Sequence, residues 1–239
     1  QKAGKTEGWH DAAFYNMCRP LELVFHNGMD EGVKVGIDTG NVEDMETFDA
    51  FYDAYKKQNH YMLSLMVNAD NAIDVAHAER CPLPFLSSMV EDCIGRGKSV
   101  QEGGAVYNFT GPQGFGIANM TDSLYAIKTL VYDQKKVTMA EYKEAMDHNF
   151  GRQLSPEDAA EITKALARRL VDQEVEVDEE RIREIYQVAK ANGVPEEKRL
   201  KYEALRAMIE EVPKYGNDIP EVDQFARDVA YTYTKPLEQ

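Results

Sequence analysis

Cysteine is scarce in this chain: the 239 residues contain three, Cys18, Cys81 and Cys93. The odd number and the lack of C-x-x-C or other metal-type spacing exclude a disulfide framework and a thiolate metal site, and suit a reducing compartment. Cys81, followed by Pro82, and Cys93, inside an apolar run, read as small buried hydrophobes. Cys18 stands beside Arg19, yet nothing next to it in sequence supplies a base. Positive charge is also in deficit, with 27 Lys and Arg against 42 Asp and Glu and a net charge of −15. No basic block is long enough to track a phosphate backbone, so nucleic acid is not an expected partner. Missing too is an apolar run of about 20 residues, the length that crosses a bilayer, and any charged-then-apolar signal layout at the N-terminus. These absences point to the cytoplasm. There is no Ser-His-Asp or G-x-S-x-G arrangement, which removes the familiar hydrolase patterns.

What is present is enough apolar material, 43% of residues, to bury a sizeable core or form a large part of a bigger one. Glycine is unevenly spread: all but Gly151, Gly193 and Gly216 of the 16 glycines precede residue 151. The character of the chain therefore changes near Gly151, from a glycine-bearing part to a charged, helical one.

Local patterns predict the elements. Asp11 to about Phe25 reads as a helix, bent or restarted at Pro20 and ended by His26-Asn27-Gly28. Gly32 to Gly40, with Val33, Val35 and Ile37 alternating, reads as a short strand or extended loop. From about Asp44 to Glu79 the apolar residues Phe48, Phe51, Tyr52, Tyr55, Met62, Leu65, Met66, Ala69, Ile73 and Ala76 keep a 3.6-residue period, which predicts one long helix with a buried face. Pro82 and Pro84 end it, and Phe85 to Ile94 begins another, stopped by Gly95 and Gly97. Thr138-Met139-Ala140-Glu141 is a capping box for a helix to about Phe150. Ser155-Pro156, Asp178-Glu179, Pro195-Glu196 and Asp218-Ile219-Pro220 start four more.

Tyr107 to Lys128 is the most distinctive stretch. A β-favouring run ending at Phe109 meets Gly111, Gly114 and Gly116, and a helical pattern follows. Glycines this dense require positive φ or close approach to the backbone. A phosphate loop is excluded by three features: no Lys-Ser/Thr follows, the spacing is not G-x-G-x-x-G, and Pro112 removes an amide. Two other groups could carry chemistry. His10 and Asp11 place an imidazole beside a carboxylate that could bind or deprotonate a hydroxyl, although Asp11 could equally cap a helix. Asp70, Asp74 and His77 share one helical face, more in keeping with an ion-pairing face than with a divalent metal site.

Four separated stretches carry a family resemblance: Gly4 to Phe14, the run Asn68 to Asp74 with Ala76 to Glu79, Tyr107 to Lys128, and Pro213 to Asp218. Together and in this order they resemble the glycyl radical enzymes, the pyruvate formate-lyase-like proteins, over nearly the whole chain. The likeness is greatest to the glycerol and diol dehydratase and choline trimethylamine-lyase branch. It implies the helix-rich central portion of a ten-stranded α/β barrel, a single domain with barrel strands and core helices in 1–150 and an outer helical layer in 151–239. It also implies an anaerobic lyase that breaks a C–O or C–N bond of a small polyol or amino alcohol after hydrogen abstraction by a thiyl radical. The radical Cys and base Glu are expected upstream of Gln1 and the radical Gly beyond Gln239, so that this portion alone would be inactive.

By the same resemblance Asp11 contacts substrate hydroxyls, His10 is its neighbour, and Gly111, Gly114 and Gly116 shape the pocket backbone. No bound cofactor or metal is implied. The glycyl radical is installed by an S-adenosylmethionine-dependent iron–sulfur activating enzyme, and the implied assembly is a homodimer in the cytoplasm or a bacterial microcompartment. Between Phe150 and Pro213 the chain carries more residues than the resemblance to the compact dehydratases leads one to expect. Within the family the alternatives are a formate C-acetyltransferase and an arylacetate decarboxylase; outside it, a non-catalytic helical interaction fragment.

Overall fold

The structure is a computed structural model that describes residues 13–152 and 194–238. These fall in two compact units, one drawn from Gln1–Met45, Asp49–Thr121 and Asp218–Gln239, the other from Glu46–Phe48 and Asp122–Asn217. The helices expected at Ser155 and Asp178 lie outside the described residues.

In the first unit the chain begins with strand β1, Phe14–Asn16, followed by helix α1, Arg19–Phe25. Sequence periodicity predicts helix through Asp11–Phe25, and the structure corrects its first part. Tyr15 and Met17 are buried while Phe14 and Asn16 are exposed, an alternation of period two that a parallel partner strand converts into a ladder. Pro20 does not bend a helix but sits in the first turn of α1, where its missing N–H costs nothing. After α1, Gly28 turns the chain at φ 76°, with the Ile37 carbonyl so close that any side chain would collide with it. A two-residue antiparallel ladder follows, β2 Met29–Asp30 with β3 Val33–Lys34.

Helix α2, Phe48–Arg80, is 33 residues long, or about 50 Å. Phe51, Ala54, Tyr55, Gln58, Asn59, Leu63 and Asp70 form its buried face. The apolar stripe does not stay covered: Leu65, Ala69, Ile73 and Ala76 are exposed, because no described element packs over that side. Beyond Arg80 the single helix expected from Phe85 to Ile94 is two short ones, α3 Pro84–Met89 and α4 Cys93–Arg96. Val90 is extended and Asp92 left-handed (φ 81°) between them, which breaks the hydrogen-bond ladder. Gly95 lies inside α4, and Gly97, at φ 65°, is its C-cap. Val90, Cys93, Val100 and Ala105 make a small core beneath this corner. Cys93 is buried as expected, but Cys81 is exposed in the connector after α2, with no layer above it.

Strand β4, Gln113–Phe115, pairs in parallel with β1 in the register Phe14↔Gln113, Tyr15↔Gly114, Asn16↔Phe115. The expected strand ending at Phe109 is thus displaced into the glycine run itself, where the ladder with β1 supplies the hydrogen bonds that a solitary strand lacks. Helix α5, Ile117–Ile127, starts directly after Gly116 and ends in a wide π turn at Lys128–Asp133.

In the second unit, α6 is Met139–Asp147 and opens on the expected capping box: the Glu141 amide donates to the Thr138 hydroxyl and the Glu141 carboxylate accepts from the Thr138 amide. Helix α7, Glu196–Glu211, packs beside the turn that follows α6, where the His148 and Tyr202 rings stack at 5.5 Å. Pro213 to Asp218 then forms the turn out of α7, with the Tyr215 amide donating to Asp122 Oδ1 at 2.8 Å and the Lys214 ammonium donating to the Ile209 and Val212 carbonyls. Helix α8, Pro220–Leu237, belongs to the first unit and buries Val222, Ala226, Val229 and Tyr233. Among the described residues no helix is long and apolar enough to cross a membrane.

Candidate functional site

The β1–β4 pair has two different faces. Tyr15 and Gly114 look toward helices α2 and α8: Tyr15 stacks on Tyr233 with ring centroids 5.6 Å apart, and a Cβ on Gly114 would lie 3.0 Å from the Tyr233 ring. Phe14, Asn16 and Phe115 are on the other face and exposed. There the Phe14 and Phe115 rings meet at 5.3 Å, and Phe14 keeps 66% of its surface exposed. One side of the sheet is clothed by helices and the other is open.

Below the clothed face lies a buried polar network. The Tyr15 hydroxyl donates to Asn59 Oδ1 at 2.7 Å, and Asn59 Nδ2 donates to the Thr232 carbonyl at 2.8 Å. One turn back along α2, the Tyr55 hydroxyl reaches the Met17 carbonyl at 3.4 Å. Burial pushes the Tyr15 and Tyr55 phenols well above the ordinary tyrosine range, and Tyr52 up to about 12. All three remain neutral hydrogen-bonding groups at any physiological pH. Gln58, fully buried on α2, bonds to both the amide and the carbonyl of Ile37, and its side chain fills the space where a side chain on Gly36 would go.

Gly114 and Gly116 of the distinctive loop have different roles. Gly116 is left-handed, φ 87°, and turns the chain from β4 into α5 with the Cys18 sulfur 3.3 Å from where a Cβ would stand. Gly114 gives close approach to Tyr233 and needs no special φ. Gly111 is buried, and its φ is not in the left-handed region. The expectation of positive φ or close approach is met at Gly116 by its φ and at Gly114 by its contact. Ahead of Gly111, the Thr110 hydroxyl donates to Asp74 Oδ2 at 2.7 Å, tying the loop to α2.

His10 and Asp11 lie outside the described residues. Asp11 stands three positions before Phe14 in the chain, and the ladder at that end is carried on by the Gln113 amide, which donates to the Ala13 carbonyl at 2.8 Å. Asp70, Asp74 and His77 do not converge: Asp70 is buried, Asp74 serves Thr110, and His77 is exposed. Among the described residues no group of three His, Cys, Asp or Glu side chains could hold a metal ion. Cys18 is half-buried, and burial, followed by the nearby Glu22 charge, pushes its thiol up, away from a nucleophile's range. Sequence reasoning missed Asn59 and the open face of Phe14, Asn16 and Phe115. The alternation around Tyr15 was the signal for the face, and nothing local marks Asn59.

A parallel strand pair clothed on one side by long helices is the building unit of an α/β barrel. The chain belongs to the pyruvate formate lyase-like family, whose model matches residues 1–239. It is 52% identical to a solved structure concerned with 1,2-propanediol dehydration in Roseburia inulinivorans, with a TM-score of 0.80, covering 100% of this chain and 25% of that one. The glycerol-bound form of the B12-independent glycerol dehydratase from Clostridium butyricum matches at 42% identity and a TM-score of 0.75, covering 99% of this chain and 24% of that one. Among curated proteins, (2S)-3-sulfopropanediol dehydratase of Klebsiella oxytoca is 40% identical over 150 residues, 62% of this chain and 18% of the relative. The chain thus spans about a quarter or less of the proteins it matches, and it is a helix-rich portion of a barrel of the pyruvate formate-lyase type. Members of this family carry a glycyl radical installed by a separate S-adenosylmethionine radical activating enzyme.

Proposed function

We propose that the protein carrying this chain is a glycyl radical dehydratase that eliminates water from a small vicinal diol or polyol. The observation that supports this most is the 52% identity along the entire chain to a structure concerned with 1,2-propanediol dehydration. In this reading the radical cysteine of the complete enzyme supplies hydrogen abstraction from a substrate carbon. The residues of this chain bind and orient the diol and keep water away from it.

Asp11 receives the substrate hydroxyls, as a carboxylate suits: it accepts two hydrogen bonds without donating, and so fixes which carbon faces the radical. His10 is its polar neighbour. The open face of the β1–β4 pair, with the Phe14 and Phe115 rings, looks into the barrel, where apolar surface excludes water from a carbon radical. Gly111, Gly114 and Gly116 supply the backbone of that wall and no chemistry. The activating enzyme and a second copy of the protein are the proposed partners, in the cytoplasm or a bacterial microcompartment.

The test uses the full-length protein, activated anaerobically and assayed with 1,2-propanediol and glycerol. Asp11→Asn is expected to lower turnover about 10- to 100-fold, the equivalent of a lost charge-assisted hydrogen bond. The glycyl radical signal in electron paramagnetic resonance is expected to stay intact. Unchanged turnover removes Asp11 from the site, and inactivity of the radical-bearing wild type on every diol removes the dehydratase reading.

A further inference from the structure

Helix α2 measures out strand β1 by hydrogen bonds. Tyr55 reaches the carbonyl of Met17, the residue just past β1, and, four residues further along the helix, Asn59 accepts from the hydroxyl of Tyr15 within β1, two residues back along the chain. Two strand residues and four helix residues cover nearly the same length, so the contacts advance in step. The Asn59 rung differs from its surroundings. It is fully buried, and its amide oxygen and nitrogen are both used, one by β1 and the other by the Thr232 carbonyl of α8. The neighbouring packing of Tyr15 on Tyr233 is apolar and tolerates small slides, whereas an amide shared by three elements does not. Any shift of β1 along α2 leaves a buried donor or acceptor without a partner.

We propose that Asn59 is a positioning residue of the reaction: through Tyr15 it sets the axial position of β1, and thereby where Asp11, four residues upstream of Tyr15, meets the substrate. This rests on the reading of Asp11 given above. Asn59 touches no reacting atom, and its effect is one of placement, for which an error of about 1 Å is worth up to about 100-fold in rate.

The experiment again uses the full-length enzyme, with kcat expressed per glycyl radical counted by electron paramagnetic resonance. Asn59→Leu keeps the branched shape and the number of heavy atoms and removes both hydrogen bonds. Tyr15→Phe removes one oxygen atom, keeps the ring on Tyr233, and carries the test should Asn59→Leu fail to fold. Both are expected to lower kcat per radical about 10- to 100-fold. Leu63→Ala, one turn along the same buried face, is expected to lower the melting temperature while leaving kcat per radical unchanged. The double variant Asp11→Asn/Asn59→Leu is expected to be no slower than Asp11→Asn alone, because Asn59 acts through Asp11. Wild-type kcat per radical in Tyr15→Phe, losses that multiply in the double variant, or an equal loss in Leu63→Ala would each overturn the proposal. A slow Asp11→Asn beside a fast Asn59→Leu overturns this inference alone, whereas a fast Asp11→Asn overturns the reading of Asp11 and the inference with it.

Discussion

Gly114 and Gly116 stand two residues apart, and opposite constraints make each of them glycine. At Gly116 the backbone is the constraint, since φ 87° is strained for any L side chain. At Gly114 the constraint is space, because an added Cβ would stand 3.0 Å from the Tyr233 ring, which belongs to a stacked pair and moves away only by disturbing Tyr15. Gly114→Ala in the full-length protein is therefore expected to cost about 1–3 kcal/mol by overpacking, and Gly116→Ala about 1 kcal/mol or more by backbone strain. Chemical denaturation of the variants checks both, and a neutral Gly114→Ala would show that the β4–α8 contact has room to relax. The same stacked pair shows why Tyr15 is more than apolar filling: its hydroxyl completes Asn59, and a phenylalanine there would leave the Asn59 oxygen buried and unpaired.

The helices differ in how much of their stability is local. Helix α6 carries its own start signal, in which Thr138 and Glu141 satisfy each other's free amides. Those hydrogen bonds hold the Glu141 carboxyl below its usual range, the Thr138 amide contributing most. A depressed carboxyl stabilises the fold above its unfolded pKa of about 4.5, and the contribution disappears as pH falls through the lower folded value. Thr138→Ala is expected to lose about 1 kcal/mol at neutral pH. Thermal unfolding at pH 7 and at pH 3 tests this, because the difference between wild type and variant should shrink at the lower pH; a difference independent of pH would detach Glu141 from the cap. Helix α2 is the reverse case. Its last third, from Asn71 on, has mostly exposed side chains and includes Ile73 and Val75 at 48% and 58% exposure. That stretch has the least cover of the helix among the described residues.

At the scale of the whole molecule, the exposed large apolar residues gather at the sheet's open face and at the α3–α4 corner, where Phe85 and Ile94 are 79% and 76% exposed. Apolar surface of this extent, next to a parallel sheet that has two strands among the described residues, is a surface that further chain can cover. Residues 1–239 expressed alone are expected to aggregate or to bind a hydrophobic dye strongly, while the full-length protein does neither. A monodisperse, dye-silent product of the excised chain would show that the portion is self-sufficient.

Several features were legible in the sequence because their causes are local. The Thr138 capping box, the helix restart at Pro20, the proline start of α8 and the turn into α5 each depend on residues within a few positions of one another. The four family stretches were equally legible, and they led to the barrel type that the structural comparisons bear out. What sequence periodicity misjudged depends on residues far away. Phe14–Asn16 is a strand because Gln113–Phe115, about a hundred residues later, offers it a ladder. The stripe of α2 loses its cover where the neighbouring elements end. The different constraints on Gly114 and Gly116 involve Tyr233 and Cys18, and the importance of Asn59 is decided by Tyr15 and Thr232, 44 and 173 residues away. Local chemistry determined where helices begin and which family the chain belongs to. Only the tertiary structure decided which residues face one another, because hydrogen-bond registers and buried partners are fixed by contacts that no short window of sequence contains.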